Sequence, residues 1–429
     1  MRPGDRVEVA IEKGVYRGLG LARSEGQVVF VPRGLPGDHW RVRIVARERG
    51  YLRAEPEALL LPGPGRRASP CAFVPECGGC AYQELEYAEQ LVLKEAVLRE
   101  SLCRARAPWE GGIRVHGSPE QGWRSRATFH VDARERPVRL GLHAEASRRV
   151  VDLARCLQVS DAMNGALDGL RPRLSARPGL AARIADITLA EGREAGGSVA
   201  CLEGRLTPED ATEALALAET PGLQGLGMLV GTGPRGRFVL LKGVAHVTSS
   251  VSGVGLRAHV LAFFQGNRFL VEPLATRVRE LVPEGGHVLD LFSGVGLFAL
   301  TLASRAESVL GVETSERAIE DAKYNALEAG LSHVGFREAD SQQAMAALPV
   351  RAGERIVLDP PRAGAGPELC RTISARGPEA IVYVSCDPPT LGRDLFAFAA
   401  AGYRPVSLDA FDLFPDTFHL EAVALLRRA

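Results

Sequence analysis

The sequence predicts an α/β multidomain protein: a small N-terminal β-barrel, a central α+β region and a C-terminal Rossmann-like domain. Three observations predict it. At 429 residues and 46% hydrophobic content, the chain is long enough for more than one core. Its first 58 residues alternate apolar and polar side chains in short runs separated by Gly and Pro, as half-buried strands do. Its last 175 residues alternate strand-like apolar runs with helical stretches, the pattern of an open parallel sheet with crossover helices. The expected division is 1–58, 66–254 and 255–429.

The barrel strands are expected in "DRVEVAIEKGV", "GLGLAR", "GQVVFVP" and "DHWRVRIVARE". Eleven basic residues face eight acidic ones in this segment, a balance compatible with a nucleic-acid surface or an ordinary solvated one. "LPGPGRRASP", residues 61–70, has the composition of a linker. Helical spacing of Leu85, Ala88, Leu91, Val92, Ala96, Leu98 and Leu102 predicts a helix over Tyr82–Arg106 that ends before Pro108, with Cys103 in its core. Residues 113–254 read as strand-rich, with a helical part near 161–180. Within them, residues 121–160 carry eight arginines against four acids, interleaved with Trp123, Phe129 and His130. That segment fits either an RNA-facing surface or an amphipathic sheet.

Bulk properties narrow the function classes. Fifty-two basic and fifty-two acidic residues cancel, so no global field announces a polyanionic partner, although 48 of the basic residues are arginines with forked donors suited to phosphates. The N-terminus is charged and no run approaches the ~20 apolar residues of a membrane span, which predicts a cytoplasmic protein without a membrane partner. Eight cysteines are too few for a disulfide scaffold, and Cys71, Cys77 and Cys80 cluster as C-x5-C-x2-C.

The chemistry concentrates in the last domain. "VLDLFSGVGLFAL" puts Asp290 at a strand end, with Gly294 and Gly296 in the turn that opens a helix, where the backbone can approach a ligand. Glu313 ends the next strand, placed for ribose hydroxyls, and Asp340 ends the third, near an expected adenine. An acid immediately before the loop suits a cationic group better than a pyrophosphate. The turn therefore favours S-adenosylmethionine, with its amino and sulfonium charges, over NAD.

Asp359 closes the fourth strand in "LDPPRAGAG", whose two prolines hold the exit extended. Enzymes that methylate exocyclic amines of bases follow a similar acid-Pro-Pro turn with an aromatic; Arg362 stands there instead, which counts against that chemistry. "YVSCDPP" delivers Cys386 to the end of the fifth strand as a candidate nucleophile. Pyrimidine C5 gains nucleophilicity when a thiolate adds to C6, and a base must then remove the C5 proton. Glu421 in "FPDTFHLEAVALLRR" enters an apolar strand where a carboxylate is costly, which marks it as that base. Alone, a strand-end Cys is more often a core residue and a lone Glu a surface cap; the combination with Asp359 favours chemistry.

At this point the chain resembles the TRAM-containing, iron-sulfur uracil-C5 RNA methyltransferases. The likeness rests on "PECGGCAYQ", "FFQGNRFL", "LDLFSGVGLFAL", "LDPPRAGA", "VSCDPPTLGRDL" and "FPDTFHLEAVALL", in that order over nearly the whole length. The resemblance implies a TRAM/OB-like barrel that holds RNA, a central iron-sulfur and RNA-binding domain, and a class I methyltransferase domain. It implies Cys386 as nucleophile and Glu421 as base. It also implies Gln265, Phe292, Glu313, Asp340 and Asp359 as donor-site residues, with Asp359 also placed against the uracil. Cys71, Cys77 and Cys80 are joined by Cys156 of "DLARCLQVS"; four thiolates suit tetrahedral zinc or a 4Fe-4S cluster, and the resemblance selects the cluster. Cys103, Cys201 and Cys370 match no motif. The expected partner is RNA, 23S rRNA first, and the expected state a monomer. Competing readings are the same chemistry on tRNA, cytosine-C5 methylation, and a non-catalytic RNA-binding iron-sulfur module acting as chaperone or redox sensor.

One departure concerns Asp387. Many members carry Asn beside the nucleophile, and a carboxylate there raises the thiol pKa unless it is paired, with Arg362 or Arg393 as the expected partner.

Overall fold

The computed structural model describes residues 1–193, 196–231 and 236–429. Five strands, Arg6–Val15, Leu19–Ser24, Gln27–Pro32, His39–Glu48 and Tyr51–Leu61, form a closed barrel in which the fifth lies between the third and fourth. Alternation decides which side chains fill it: Val29 and Val31 point inward and Phe30 does not. The fifth strand extends beyond the expected four. Its Pro56 reads as a breaker but pairs with Val42 beside a register shift, where a missing amide is tolerated. Arg66, in the expected linker, is pinned by an ion pair with fully buried Asp38, which also accepts the amides of Leu35 and Gly63.

The central part is a seven-stranded sheet in the order Arg237–Gly243, Leu223–Val230, Ser198–Leu206, Ile184–Ala190, Arg126–Asp132, Arg139–His143, Val150–Asp152. Helix Asp161–Ser175, N-capped by Ser160, buries Met163, Leu167, Leu170 and Leu174 against Phe129, Ile187 and Leu202. Trp123 and Phe129 are therefore interior, and only His130 of the three interleaved aromatics reaches the surface, where it stacks on His143. Arg134, Arg139, Arg149 and Arg155 pair with Asp132, Glu135, Glu76 and Asp161. Four of the eight arginines in 121–160 are thus paired, on a sheet that buries Trp123 and Phe129.

The C-terminal sheet has eight strands in the order Val334–Glu338, Ser308–Glu313, His287–Leu291, Glu354–Leu358, Ala380–Ser385, Glu421–Arg428, Tyr403–Phe411, Arg114–His116. The first five run parallel, and Glu421–Arg428 is antiparallel to both of its neighbours. Period-two alternation puts Val288 into one hydrophobic layer and Leu289 and Leu291 into the other, as a sheet covered on both faces requires.

Two features cross the expected divisions. Strand Arg114–His116 joins the edge of the C-terminal sheet, and the hairpin His246–Val251/Val254–His259 spans position 254/255. Helix Tyr87–Arg104, five residues shorter at its start than expected, packs Leu98 and Leu102 against Leu391, Leu395 and Phe398 of helix Pro388–Ala400. The two helices approach so closely that a Cβ on Gly392 would lie 2.6 Å from the Ala105 methyl. Cys103, expected in this core, is exposed on the outer face of the helix. Among the described residues, no helix is long and apolar enough to cross a membrane.

Candidate active site

The strand order reverses between His287–Leu291 and Glu354–Leu358, and ligands of such sheets bind at that switch point, beyond the carboxyl ends of the strands. Asp290 and Asp359 flank it. The turn after Leu291 is built from left-handed residues: Phe292 at φ +62°, Gly294 at +53° and Gly296 at +92°. An aromatic residue in this conformation is strained, a cost that persists where a site holds it in place. Gly296 is required by packing, since a Cβ would come within 2.8 Å of the Phe336 ring.

Gln265, Phe292, Gly294 and Asp359 line one pocket with Phe263 and Phe298. Asp290 lies fully buried near it. One of its oxygens accepts the Ala299 amide at 2.8 Å, and the other, Oδ1, has no hydrogen-bond partner. Burial pushes its carboxyl up to about 8 against the pull of that amide, with Asp359 and Glu313 adding to the rise. Glu313 is oriented by the amides of Gly294, Thr314 and Ser315. Asp340 is exposed and caps helix Ser341–Ala347 through the Gln343 amide.

The two residues expected to react, Cys386 and Glu421, meet beside Asp359. Antiparallel pairing of Ser385 with Ala422 sets Cys386 opposite Glu421, so the last strand itself fixes their proximity. Glu421 is 2% exposed, and its Oε1 has no hydrogen-bond partner. Burial and the charge of Asp359 hold its carboxyl well above the usual range; burial raises Asp359 as well, opposed by the Gln265 amide at 3.0 Å. The Cys386 thiol is pushed up to about 12 by burial, then by Glu421 and Asp359, with Arg362 pulling the other way.

Asp387 departs from expectation. Neither arginine pairs with it: Arg362 donates to His419 Nε2 at 3.0 Å, and Arg393 binds Asp394. Its carboxylate instead caps helix Pro388–Ala400 through the Thr390 amide at 3.0 Å and accepts the hydroxyl of Tyr16, from the barrel. His419 is a site residue the motifs did not single out. Burial, then Arg362, pushes its imidazole down to about 4, so it is neutral and accepts from Arg362. Its spacing of two from Glu421 was the available signal, because alternate residues of an extended segment share a face.

Cys71, Cys77, Cys80 and Cys156 line a single small cavity with Gln83, Leu142 and Gln158. Cys80 Sγ accepts the side-chain amides of Gln158 at 2.9 Å and Gln83 at 3.6 Å, and Cys77 Sγ accepts the Gly79 amide at 3.4 Å. Among the described residues, no group of three or more His, Cys, Asp or Glu side chains is set to hold a single metal ion. Cys201 and Cys370 are buried in other cores.

A doubly wound sheet with these strand-end carboxylates is a methyltransferase framework, and comparison with known proteins agrees. Residues 86–429 match the family described as tRNA (Uracil-5-)-methyltransferase and residues 2–56 match the TRAM domain. The chain belongs to that family and is an RNA uracil-C5 methyltransferase. It is 33% identical to the 23S rRNA (uracil(1939)-C(5))-methyltransferase RlmD of Pseudomonas aeruginosa, over 98% of this chain and 94% of that protein. It is also 33% identical to the RlmD of Alkalilimnicola ehrlichii, over 99% and 97%. The crystal structure of the Pyrococcus abyssi tRNA (uracil-54, C5)-methyltransferase in complex with S-adenosyl-L-homocysteine superposes with a TM-score of 0.76 at 25% identity, covering 97% of this chain and all of that one.

The buried Asp290 carboxyl makes a pH-dependent prediction. Its folded-state pKa lies above its ordinary value, so the folded protein holds this proton more tightly than the unfolded chain, and stability falls as pH rises from the usual carboxylate range through about 8. Asp290→Asn keeps an acceptor for the Ala299 amide and removes the charge. Ligand-free variant should exceed the parent by about 1–3 kcal/mol at pH 8, with the gain shrinking toward pH 5. Denaturant melts at both pH values measure this, and a pH-independent difference would reject it.

Proposed function

We propose that this chain methylates C5 of a uridine in 23S rRNA from S-adenosylmethionine, with Cys386 as nucleophile and Glu421 as base. The observation that carries the reading is the register that sets Cys386 opposite Glu421 beside Asp359. The names of its relatives support 23S rRNA as target.

The donor pocket fits a cation. Asp290 Oδ1 is buried without a partner, and Glu313 and Asp359 stand nearby, so a sulfonium and an amino group would supply the charge this crevice lacks. S-adenosylmethionine, when bound, supplies an electrophilic methyl group. Gln265, Phe292, Gly294, Gly296, Glu313, Asp340 and Asp359 would hold it, with Glu313 on the ribose hydroxyls.

The protein's own residues then act on the uracil. The Cys386 thiolate adds to C6, and the ring electrons move to C5, which takes the methyl group that the donor would give up, the electron pair of the broken S–CH3 bond staying on the sulfur of S-adenosylhomocysteine. Glu421 takes the C5 proton, the C5–C6 double bond re-forms, and the thiolate leaves. Asp359, beside both groups, holds the uracil edge. A base in a duplex or stacked loop must be flipped out to reach this crevice.

We read the small cavity lined by Cys71, Cys77, Cys80 and Cys156 as the place of a 4Fe-4S cluster, since four thiolates are the ligand set such a cluster takes. A single zinc would draw thiolates to about 3.8 Å of one another, as its bond length of about 2.3 Å dictates, whereas a cluster takes each thiolate on a separate iron and needs a wider quartet. Amide donors on Cys80 and Cys77 suit thiolate charge. In this reading residues 1–58 are an RNA-holding barrel, 66–254 an iron-sulfur and RNA-binding region, and 255–429 the transferase of a monomer.

Cys386→Ala should lose methyl transfer by about a thousandfold or more while still binding RNA. Glu421→Gln should accumulate a covalent protein–RNA adduct, because proton removal stalls after methyl transfer. Both are read by assays on 23S rRNA and tRNA transcripts. Normal turnover by either variant rejects its role, and methylation of tRNA alone moves the target. Anaerobically purified protein should carry about four irons; colourless protein with one zinc would overturn the cluster.

A further inference from the structure

The tip of the first barrel hairpin, Tyr16–Gly18, is seated in the catalytic domain. Arg17 and Gly18 adopt left-handed φ of +72° and +74°. A Cβ on Gly18 would meet the Ala81 Cβ at 2.9 Å and the Phe418 Cβ at 3.5 Å, so glycine is needed for the tip to enter this far. Tyr16 sits edge-on to Phe418, three residues before Glu421, with ring centroids 6.0 Å apart. Its hydroxyl donates to Asp387 Oδ2, next to Cys386. One barrel side chain therefore touches the segments that carry both proposed reactive groups.

We propose that Tyr16 is a positioning residue for methyl transfer: by donating to Asp387 it screens that carboxylate from Cys386, making the barrel part of the machinery that sets the thiol's reactivity. The inference rests on Cys386 being the nucleophile. Four charged groups face this thiol: Glu421, Asp359, Arg362 and Asp387. Three of them raise its pKa, and Asp387 is the one that the barrel reaches. Asp387 in turn faces Tyr16, the Thr390 amide and His419. Burial and Asp387 together push the Tyr16 hydroxyl up to about 12, so it remains a donor across the working pH range. With the hydroxyl removed, the carboxylate keeps only its bonds to Thr390, and its field on Cys386 grows.

The test compares the intact protein with Tyr16→Phe, Asp387→Asn and the double variant. Tyr16→Phe keeps the ring on Phe418, and Asp387→Asn keeps an oxygen for the Thr390 amide, since Asn caps helices as well as Asp does. Iodoacetamide labelling of Cys386, resolved from the other cysteines by peptide mass spectrometry, is followed against pH, together with kcat and KM on RNA. In Tyr16→Phe, labelling at about pH 8, below the thiol's midpoint, should be about tenfold slower. Its kcat should fall, with KM for RNA changing less. In the Asp387→Asn background the same Tyr16→Phe change should have no effect on either readout, because the charge it screened is gone.

Two results would overturn the proposal: a Tyr16→Phe labelling profile that matches the parent, or a double variant as impaired as Tyr16→Phe alone, which would show that Tyr16 acts by packing. The labelling rate does not depend on catalysis. Failure of the nucleophile reading, seen as turnover in Cys386→Ala, is thus distinct from failure of the screening reading.

Discussion

Two carboxylates, Asp359 and Glu421, stand beside the half-buried Cys386 thiol at the ends of the central strands, and much of the surrounding structure holds them there. A carboxylate without a cation in such a place is costly, and both are pushed toward the protonated form. Glu421 cannot relax away, because the strand it opens is buried between two antiparallel neighbours. Its approach is equally constrained. The buried Lys94–Asp412 pair at 2.6 Å anchors the preceding loop to helix Tyr87–Arg104. Asp416 accepts the side-chain amides of Gln83 and Gln90, while its carbonyl accepts the amides of Ala81 and Tyr82. The loop that leads to Glu421 is thus bonded to the segment that carries Cys77 and Cys80.

That arrangement explains how three regions of the chain serve one reaction centre. Gln83 bonds both Cys80 and Asp416, and Gln158 bonds both Cys80 and the carbonyl of Pro415. The barrel adds the bond from Tyr16 to Asp387. The thiols differ by what surrounds them. Cys201 and Cys370 are core residues. Cys80 and Cys156 lie within the field of buried Arg124, and Cys386 within that of Arg362. Charge neutrality of the whole chain therefore conceals local placement: Arg124 stands beside Cys80 and Cys156, and the exposed Arg362 faces Cys386.

Much of the transferase domain was legible because its signals are local. Asp290, Gly294 and Gly296 announce a strand, a turn and a helix within seven residues, and Glu313 and Asp359 sit where strand-like runs stop. Cys386 stood out at the end of one apolar strand and Glu421 at the start of another. What escaped was non-local or masked. The partner of Asp387 lies 371 residues away, and no spacing rule reaches it. Strand Arg114–His116 has three residues, too few for a period to show. The fifth barrel strand was not among the expected four, and Trp123 and Phe129, interleaved with arginines, proved to be buried. His419 was visible in "FHLEAV" but carried no meaning until Arg362 was found against it.

The central claim, addition of the Cys386 thiolate to uracil C6 followed by removal of the C5 proton, is tested most directly with RNA carrying 5-fluorouridine at the target position. Fluorine at C5 cannot leave as a proton, so the reaction must stop at the covalent intermediate. With S-adenosylmethionine present, peptide mass spectrometry should find the peptide containing Cys386 joined to a methylated 5-fluorouridine. An adduct on any other residue, or methylated RNA released free of protein, would contradict the account.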